Sequence, residues 1–113
     1  MIGRTNAIGG SGAGFISGTL SAKPSAVVIP CPKEPSFVVC RFFQAYSYTL
    51  FAMAACGGFE NGASTAGMGV RQYSSSEKSE TFTPSAVYRD GNITMSNLYN
   101  NSSSYTWTYY IVY

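Results

Sequence analysis

The stretch Ala86-Val-Tyr-Arg-Asp-Gly-Asn-Ile-Thr-Met-Ser-Asn97 decides the fold that the sequence predicts. Asp90-Gly91 separates two runs in which hydrophobic and polar residues alternate, and such a pair is a strong sequence signal of a tight β-hairpin. Ile93 and Met95 alternate with Asn, Thr and Ser, which is typical of a strand with one buried face. The stretch therefore predicts two antiparallel strands with one face against a core.

The residues that follow extend this prediction to a larger antiparallel sheet. A polar loop over residues 97–104 leads into Tyr105-Thr-Trp-Thr-Tyr-Tyr-Ile-Val-Tyr113. With a period of two, Thr106 and Thr108 fall on one side of this strand. The other side carries Tyr105, Trp107, Tyr109, Ile111 and Tyr113. The pattern predicts a final strand with an aromatic inner face, and we expect Tyr105 and Trp107 to lie in the core rather than at a binding surface.

The rest of the chain adds further short strands between turn signals. The candidates are Phe15–Leu20, Ala26–Ile29, Phe37–Phe43, Tyr46–Ala55 and Met68–Tyr73. Prolines at 30, 32 and 35 place the second candidate and the segment after it at a sheet edge or outside the sheet, because proline cannot donate to a ladder. Eight or nine short strands predict an all-β fold, an antiparallel, jelly-roll-like β-sandwich over residues 15–113.

Residues 46–56 leave two alternatives open. Ala, Leu and Met favour a helix, whereas Tyr, Phe and Thr in the first half and Gly57-Gly58 at the end favour a strand. We prefer the strand. Both its faces are apolar, as are those of Phe37–Phe43 apart from Arg41, so the pattern predicts strands covered on both sides. In a chain of 113 residues, a neighbouring subunit could supply one of those covers.

Composition narrows the function classes. Charged residues make up 11% of the chain, against about 25% in typical soluble domains. The basic residues are scattered, so the sequence does not predict a nucleic-acid footprint. No apolar run reaches the roughly 18 residues of a membrane span, and the N-terminus lacks the pattern of a signal peptide. We expect a protein that is made in the cytoplasm and either stays soluble or joins an assembly.

Catalytic chemistry is not indicated. The chain has no histidine, which excludes imidazole-based triads and metal sites. Cys31, Cys40 and Cys56 have no paired spacing and are expected to be reduced structural thiols. Glu77 and Glu80 share a polar segment rather than the two walls of a cleft. The sequence therefore predicts no enzyme, no metal site and no cofactor, and an enzyme is the weakest alternative.

An N-terminal arm and two polar loops are the candidates for contacts with other molecules. Residues 1–14 form a Gly-rich arm that is either a disordered terminus or a segment ordered on a partner subunit. Its candidate assembly residues are Met1, Ile2, Arg4, Asn6 and Ile8. Tyrosine and asparagine in polar loops are the better candidates for exposed binding contacts. These are Asn61, Tyr99, Asn100 and Asn101.

Three of these stretches resemble a known group of proteins. Met1-Ile-Gly-Arg-Thr-Asn-Ala7, followed by glycines, resembles the N-terminus of tail and fibre proteins from phages and prophages of Gram-positive gut bacteria. The C-terminal pattern from Thr81-Phe-Thr-Pro84 through Asp90-Gly-Asn-Ile-Thr-Met95 to Ser104-Tyr-Thr-Trp-Thr-Tyr-Tyr-Ile-Val112 is similar to the β-sandwich that closes such proteins. The strand Phe37–Phe43 after Lys33 and Pro35 is similar to another of their strands. Those proteins are usually longer, which leaves the place in the particle open among fibre, baseplate, collar and head decoration.

The resemblance implies a virion structural protein. Its arm would attach to other virion proteins, and its sandwich would form a homo-oligomer, a trimer or a ring. The alternative is a receptor- or carbohydrate-binding module at a fibre tip, for which the partner would be a glycan on the host surface. No catalytic residue is implied.

Overall fold

A computed structural model describes residues 14–45, 49–73, 78–98 and 104–113 of the chain. These residues form nine β-strands, so the all-β class predicted from the sequence is confirmed. The strands are β1 (Phe15–Ala22), β2 (Ala26–Pro30), β3 (Phe37–Ala45), β4 (Thr49–Gly57), β5 (Ala66–Tyr73), β6 (Lys78–Phe82), β7 (Ser85–Arg89), β8 (Asn92–Ser96) and β9 (Tyr105–Val112).

The strands build two antiparallel sheets that pack as a sandwich. The large sheet has six strands in the order β1-β9-β3-β4-β5-β6, and the small sheet has three in the order β2-β8-β7. Strands β3 to β6 form a simple meander, whereas β1 and β2 pair with β9 and β8 from the other end of the chain. This nested pairing brings residue 15 beside residue 112 and makes β9 a central strand.

The strands form where the sequence alternates, because each residue type faces the environment that suits it. In β9, Tyr105, Trp107 and Ile111 are buried and Thr106 is exposed, as the period-two pattern predicts. In β8, Ile93 and Met95 are fully buried between half-buried or exposed polar neighbours. The aromatic inner face predicted for the last strand is therefore confirmed.

The core lies between the two sheets. The small sheet contributes Val27, Ile29, Ile93 and Met95, which pack against the inner residues of β3, β4 and β9. Phe42 stacks on Tyr105 at 4.4 Å between ring centroids and meets Trp107 edge-on at 4.6 Å. The Trp107 Nε1 group donates a hydrogen bond of 3.1 Å to the Ala22 carbonyl, so the largest core side chain has a partner for its polar atom.

The hairpin between β7 and β8 turns at Asp90-Gly91, as predicted. Both residues have positive φ angles, 51° and 80° respectively. Two successive positive values define the type I′ turn, whose twist matches that of the flanking strands. Arg89 and Asn92 pair directly across the turn. The Asp-Gly dipeptide therefore fixes the register that places Ile93 and Met95 in the core.

The structure decides between the helix and the strand for residues 49–56, and it leaves one face of β3 and β4 uncovered. The helix alternative for residues 46–56 is wrong over the described part, because Thr49–Gly57 is a strand, and residues 46–48 lie outside the described residues. The expectation that β3 and β4 are covered on both faces is not met within one chain. Ala52, Ala54 and Cys56 are buried, but Met53 on the opposite face is 37% exposed. The small sheet supplies only one cover.

Candidate functional site

The predicted assembly arm lies almost wholly outside the described residues. Met1, Ile2, Arg4, Asn6 and Ile8 belong to that part, so their roles stay predictions. The structure does show where the arm joins the sandwich. Gly14 and Tyr113 exchange both backbone hydrogen bonds, which extends the pairing of β1 with β9 by one residue. The arm therefore leaves from the end of the sandwich that also holds Tyr113.

The predicted binding loop at Tyr99, Asn100 and Asn101 also lies outside the described residues. The residues before it are tightly held. Leu98 is buried, and its carbonyl accepts a hydrogen bond from the Arg71 guanidinium on β5. Arg71 also lies 4.8 Å from the centre of the Phe82 ring and 3.7 Å from the Glu80 carboxylate. The loop thus starts from an anchored position on the sandwich.

Asn61 is exposed at the tip of a well-bonded turn. It has a φ of 54°, a left-handed value that asparagine tolerates better than most residues. Glu60 and Ala63 exchange backbone hydrogen bonds around it, and the Gly62 amide donates to the Glu34 carboxylate at 2.8 Å. The Tyr88 amide donates to the Gly62 carbonyl, which ties the turn to β7. Asn61 is therefore presented on a fixed backbone.

The described residues that flank the two predicted binding loops lie at opposite ends of the sandwich. The Asn61 turn follows Gly57, which pairs with Phe37 at the end that also holds Gly14 and Tyr113. Tyr105, where the chain re-enters the large sheet after residues 99–103, pairs with Ala22 at the other end. Asn61 and Tyr105 therefore lie near opposite ends of the large sheet.

The three cysteines are buried free thiols, as the sequence predicted. The Cys40 thiol contacts Met95 Sδ across the two sheets at 3.5 Å. Burial, with a smaller contribution from Cys56, raises the pKa of the Cys40 thiol to about 12. Burial also raises the pKa of Cys56, which a hydrogen bond with Ser64 partly offsets. Both groups therefore stay protonated near neutral pH and are poor nucleophiles.

The acidic residues do not supply a reactive pair among the described residues. Glu80 faces Arg71, and Glu34 bonds the Gly62 amide, while Glu77 lies outside the described part. Over those same residues, no group of three Cys, Asp or Glu side chains could hold a metal ion.

The described part of the chain also contains no helix long and apolar enough to cross a membrane.

The most unusual surface is one that the predicted site residues did not include. We call it the outer face: the side of the large sheet that points away from the small sheet. Strand pairing sets Val112 between Phe15 and Phe37, and Met53 between Arg41 and Val70. Seven large hydrophobic side chains on this face are between 37% and 74% exposed. They are Phe15, Phe37, Phe43, Met53, Met68, Tyr110 and Val112.

Charge is almost absent from the outer face. Among the described residues there, Arg41 is the single charged side chain, and the polar ones are Ser, Thr and Gln. The corresponding face of the small sheet differs, because Val28 and Val87 flank Thr94, with Arg89 and Asn92 nearby. The small sheet thus shows the mixed surface of a solvated face, whereas the outer face of the large sheet does not.

The signal for the outer face is present in the sequence. Met53 in β4 and Phe37 and Phe43 in β3 produce the two-sided apolar pattern noted above. That pattern predicts strands covered on both sides, with a neighbouring subunit able to supply one cover, but the predicted site residues lie in the arm and in polar loops. What the sequence alone does not reveal is that β5 and β9 align Met68, Tyr110 and Val112 with those residues. The non-local pairing turns separate apolar strands into one continuous surface.

Comparisons of the chain with protein-family models, with curated proteins and with solved structures found no match.

Proposed function

We propose that this protein is a structural subunit of a phage or phage-tail-like particle, at the tail tip, fibre, collar or head surface. It assembles with copies of itself into a trimer or ring and binds other virion proteins through the arm of residues 1–14. It works in the virion after synthesis in the bacterial cytoplasm, and it is not an enzyme. The resemblance to phage tail and fibre proteins supports the role in a particle, and the outer face supports self-assembly.

The observation that carries the proposal is the uncovered outer face. Monomeric soluble proteins rarely expose a contiguous apolar patch of more than a few hundred Å². Here the apolar residues extend from Phe15 on the edge strand through β9, β3 and β4 to Met68 on β5. A sheet with one face in the core and an apolar second face is expected to be covered by another protein.

The arrangement of the two ends supports a role in a particle. The arm leaves beside Gly14 and Tyr113, and the loop that contains Asn100 begins at the opposite end, after Leu98. A subunit attached at the Gly14 end would therefore present the end that holds Leu98 and Tyr105 away from the attachment point. This polarity suits a component with one end fixed on a particle and the other facing outward.

The proposal is tested by asking whether the chain is a particle component. Particles would be purified on a density gradient from lysates of the bacterium that encodes the chain, and each fraction would be probed with an antibody against it. We expect the chain in the particle band. We expect deletion of residues 1–13 to remove it from that band, because the arm is lost. The sandwich should still fold, since the pairing of Gly14 with Tyr113 is retained. A chain found only in the soluble fraction would refute the proposal.

The second candidate is a receptor- or carbohydrate-binding module, and the exposed Asn61 on its fixed turn is the observation that favours it. Substitutions over Asn61–Thr65 and over Tyr99–Ser103 separate the two functions. Intact particles that no longer adsorb to host cells would support the binding module. Loss of particles would support the structural role.

A further inference from the structure

We infer that the outer face is covered by a second copy of this chain, which packs sheet on sheet against it. The inference rests on the proposed self-assembly and deepens it, because it names a surface and its occupant. A face that packs on its own copy pairs two chains, so a trimer or ring would use a second contact in addition. The contact between copies is then formed by the outer face of the large sheet, between the two ends of the sandwich. The arm is left free to bind a different protein.

The size of the outer face suits such a contact. Strands in a sheet lie about 4.8 Å apart, and four same-face residues span about 24 Å, so the apolar part over β9, β3, β4 and β5 measures roughly 500 Å². Two copies would bury about 1,000 Å² in total, which is the lower bound for a specific interface. Phe15 on β1 extends the patch beyond these four strands.

The shape and chemistry of the surface favour a second sheet over other occupants. Two sheets pack face to face about 10 Å apart when both faces are apolar and pleated. The outer face of a second copy has both properties by construction, and closed symmetric assembly from identical chains is the common case. Over its described residues this face carries one guanidinium and no carboxylate, so it offers little to a strongly charged partner.

Arg41 is the feature that sets how the copies meet. It is half-buried on the central strand β3, between Thr108 and Met53. No described acid lies on the outer face, so a second Arg41 placed directly opposite would leave two like charges in an apolar contact. The two-fold axis that relates the copies therefore passes beside Arg41 rather than through it, which separates the two guanidinium groups while the patches overlap. Arg41→Leu removes this restriction and is expected to tighten association or leave it unchanged.

The test uses the full chain and measures its mass in solution by sedimentation equilibrium over a range of concentrations. Met68 is 74% exposed, so Met68→Glu is expected to fold and to weaken association at least tenfold, because a carboxylate would have to be desolvated. Phe43→Lys, at a position that is 59% exposed, provides a second variant. Val28→Glu is the matched control, since Val28 is 50% exposed on the small sheet. Circular dichroism checks the fold of each.

The outcomes separate the inference from the proposed function. Oligomers of the unmodified chain and of Val28→Glu, with smaller species for Met68→Glu and Phe43→Lys, support the inference. The unmodified chain could be monomeric in solution and still enter particles, while Met68→Glu does not enter them. This outcome would mean that a different virion protein covers the outer face. That result overturns the inference and leaves the function standing. Oligomers unaffected by both outer-face variants also overturn it. Outer-face oligomers with no particle association would remove the function and keep the inference.

Discussion

At the scale of the residue, Trp107 connects the core to the edge of the large sheet. It is fully buried, meets the Phe42 ring edge-on and donates to the Ala22 carbonyl. We expect Trp107→Ala to lower the free energy of unfolding by about 3–5 kcal/mol through the cavity it leaves. Trp107→Phe keeps an aromatic ring but removes this hydrogen bond, at about 0.5–1.5 kcal/mol. Urea unfolding at fixed protein concentration, followed by circular dichroism, measures both.

Tyr110→Phe is the control for this pair, because Tyr110 lies on the outer face and is 37% exposed. Its effect on the unfolding of the isolated chain should stay within about 0.5 kcal/mol. A Trp107→Ala variant as stable as Tyr110→Phe would contradict the packing described for Trp107.

The Cys40 thiol links stability to high pH. Its pKa is raised from the ordinary value of 9.0 to about 12 in the folded chain, so the unfolded chain loses this proton first as the pH rises. The stabilising contribution is complete below pH 9.0 and is lost between there and about pH 12. Unfolding free energy should fall across this range. In Cys40→Ala the fall should be shallower, by up to about 1.4 kcal/mol per pH unit.

Tyrosines and lysines titrate in the same pH range in both proteins. The role of Cys40 is therefore tested by the difference between the two slopes of unfolding free energy against pH, not by either slope alone. Cys31→Ala serves as the matched control, since Cys31 is also a buried free thiol. If Cys40→Ala kept the full slope of the unmodified chain, the buried thiol would not be the linked group.

At the scale of the element, the β7–β8 hairpin depends on its turn. Gly91 has a φ of 80°, where any residue with a Cβ is strained, so Gly91→Ala should cost about 1–3 kcal/mol of unfolding free energy. Asp90→Asn should cost little, because asparagine is equally favoured at the first position of a type I′ turn. Thermal unfolding of the two variants checks the difference. Equal melting temperatures would argue against the turn as the determinant of the register.

The elements also show how far the sequence leads. Alternation in β8 and β9 and the Asp90-Gly91 turn predict the strands, the inner faces and the sandwich, because these features depend on neighbours along the chain. The pairing of β1 with β9 is not visible in this way, since it joins residues about a hundred positions apart. The outer face depends mainly on the pairing of β9 with β3, which likewise joins residues 65 to 75 positions apart. The sequence therefore predicts apolar strands but not the single surface that they form together.

At the scale of the whole molecule, association through the outer face should respond to solvent as apolar burial does. Sulfate strengthens apolar contacts and cooling weakens them, whereas contacts between opposite charges weaken as salt rises. We therefore expect the oligomer to persist in high sodium chloride, to tighten in ammonium sulfate and to loosen near 0 °C. Sedimentation under each condition measures this. Dissociation by moderate sodium chloride would indicate ion pairs instead, against the near absence of charge on this face.

The central position of β9 has a consequence for synthesis in the cell. Among the nine strands β9 is the last to be translated, yet it lies between β1 and β3, and β1 has no other partner in the large sheet. A growing chain on the ribosome therefore cannot complete the large sheet before β9 has been translated. Assembly through the outer face, as proposed above, would have to wait for that strand, which would keep nascent chains on one messenger RNA from joining early.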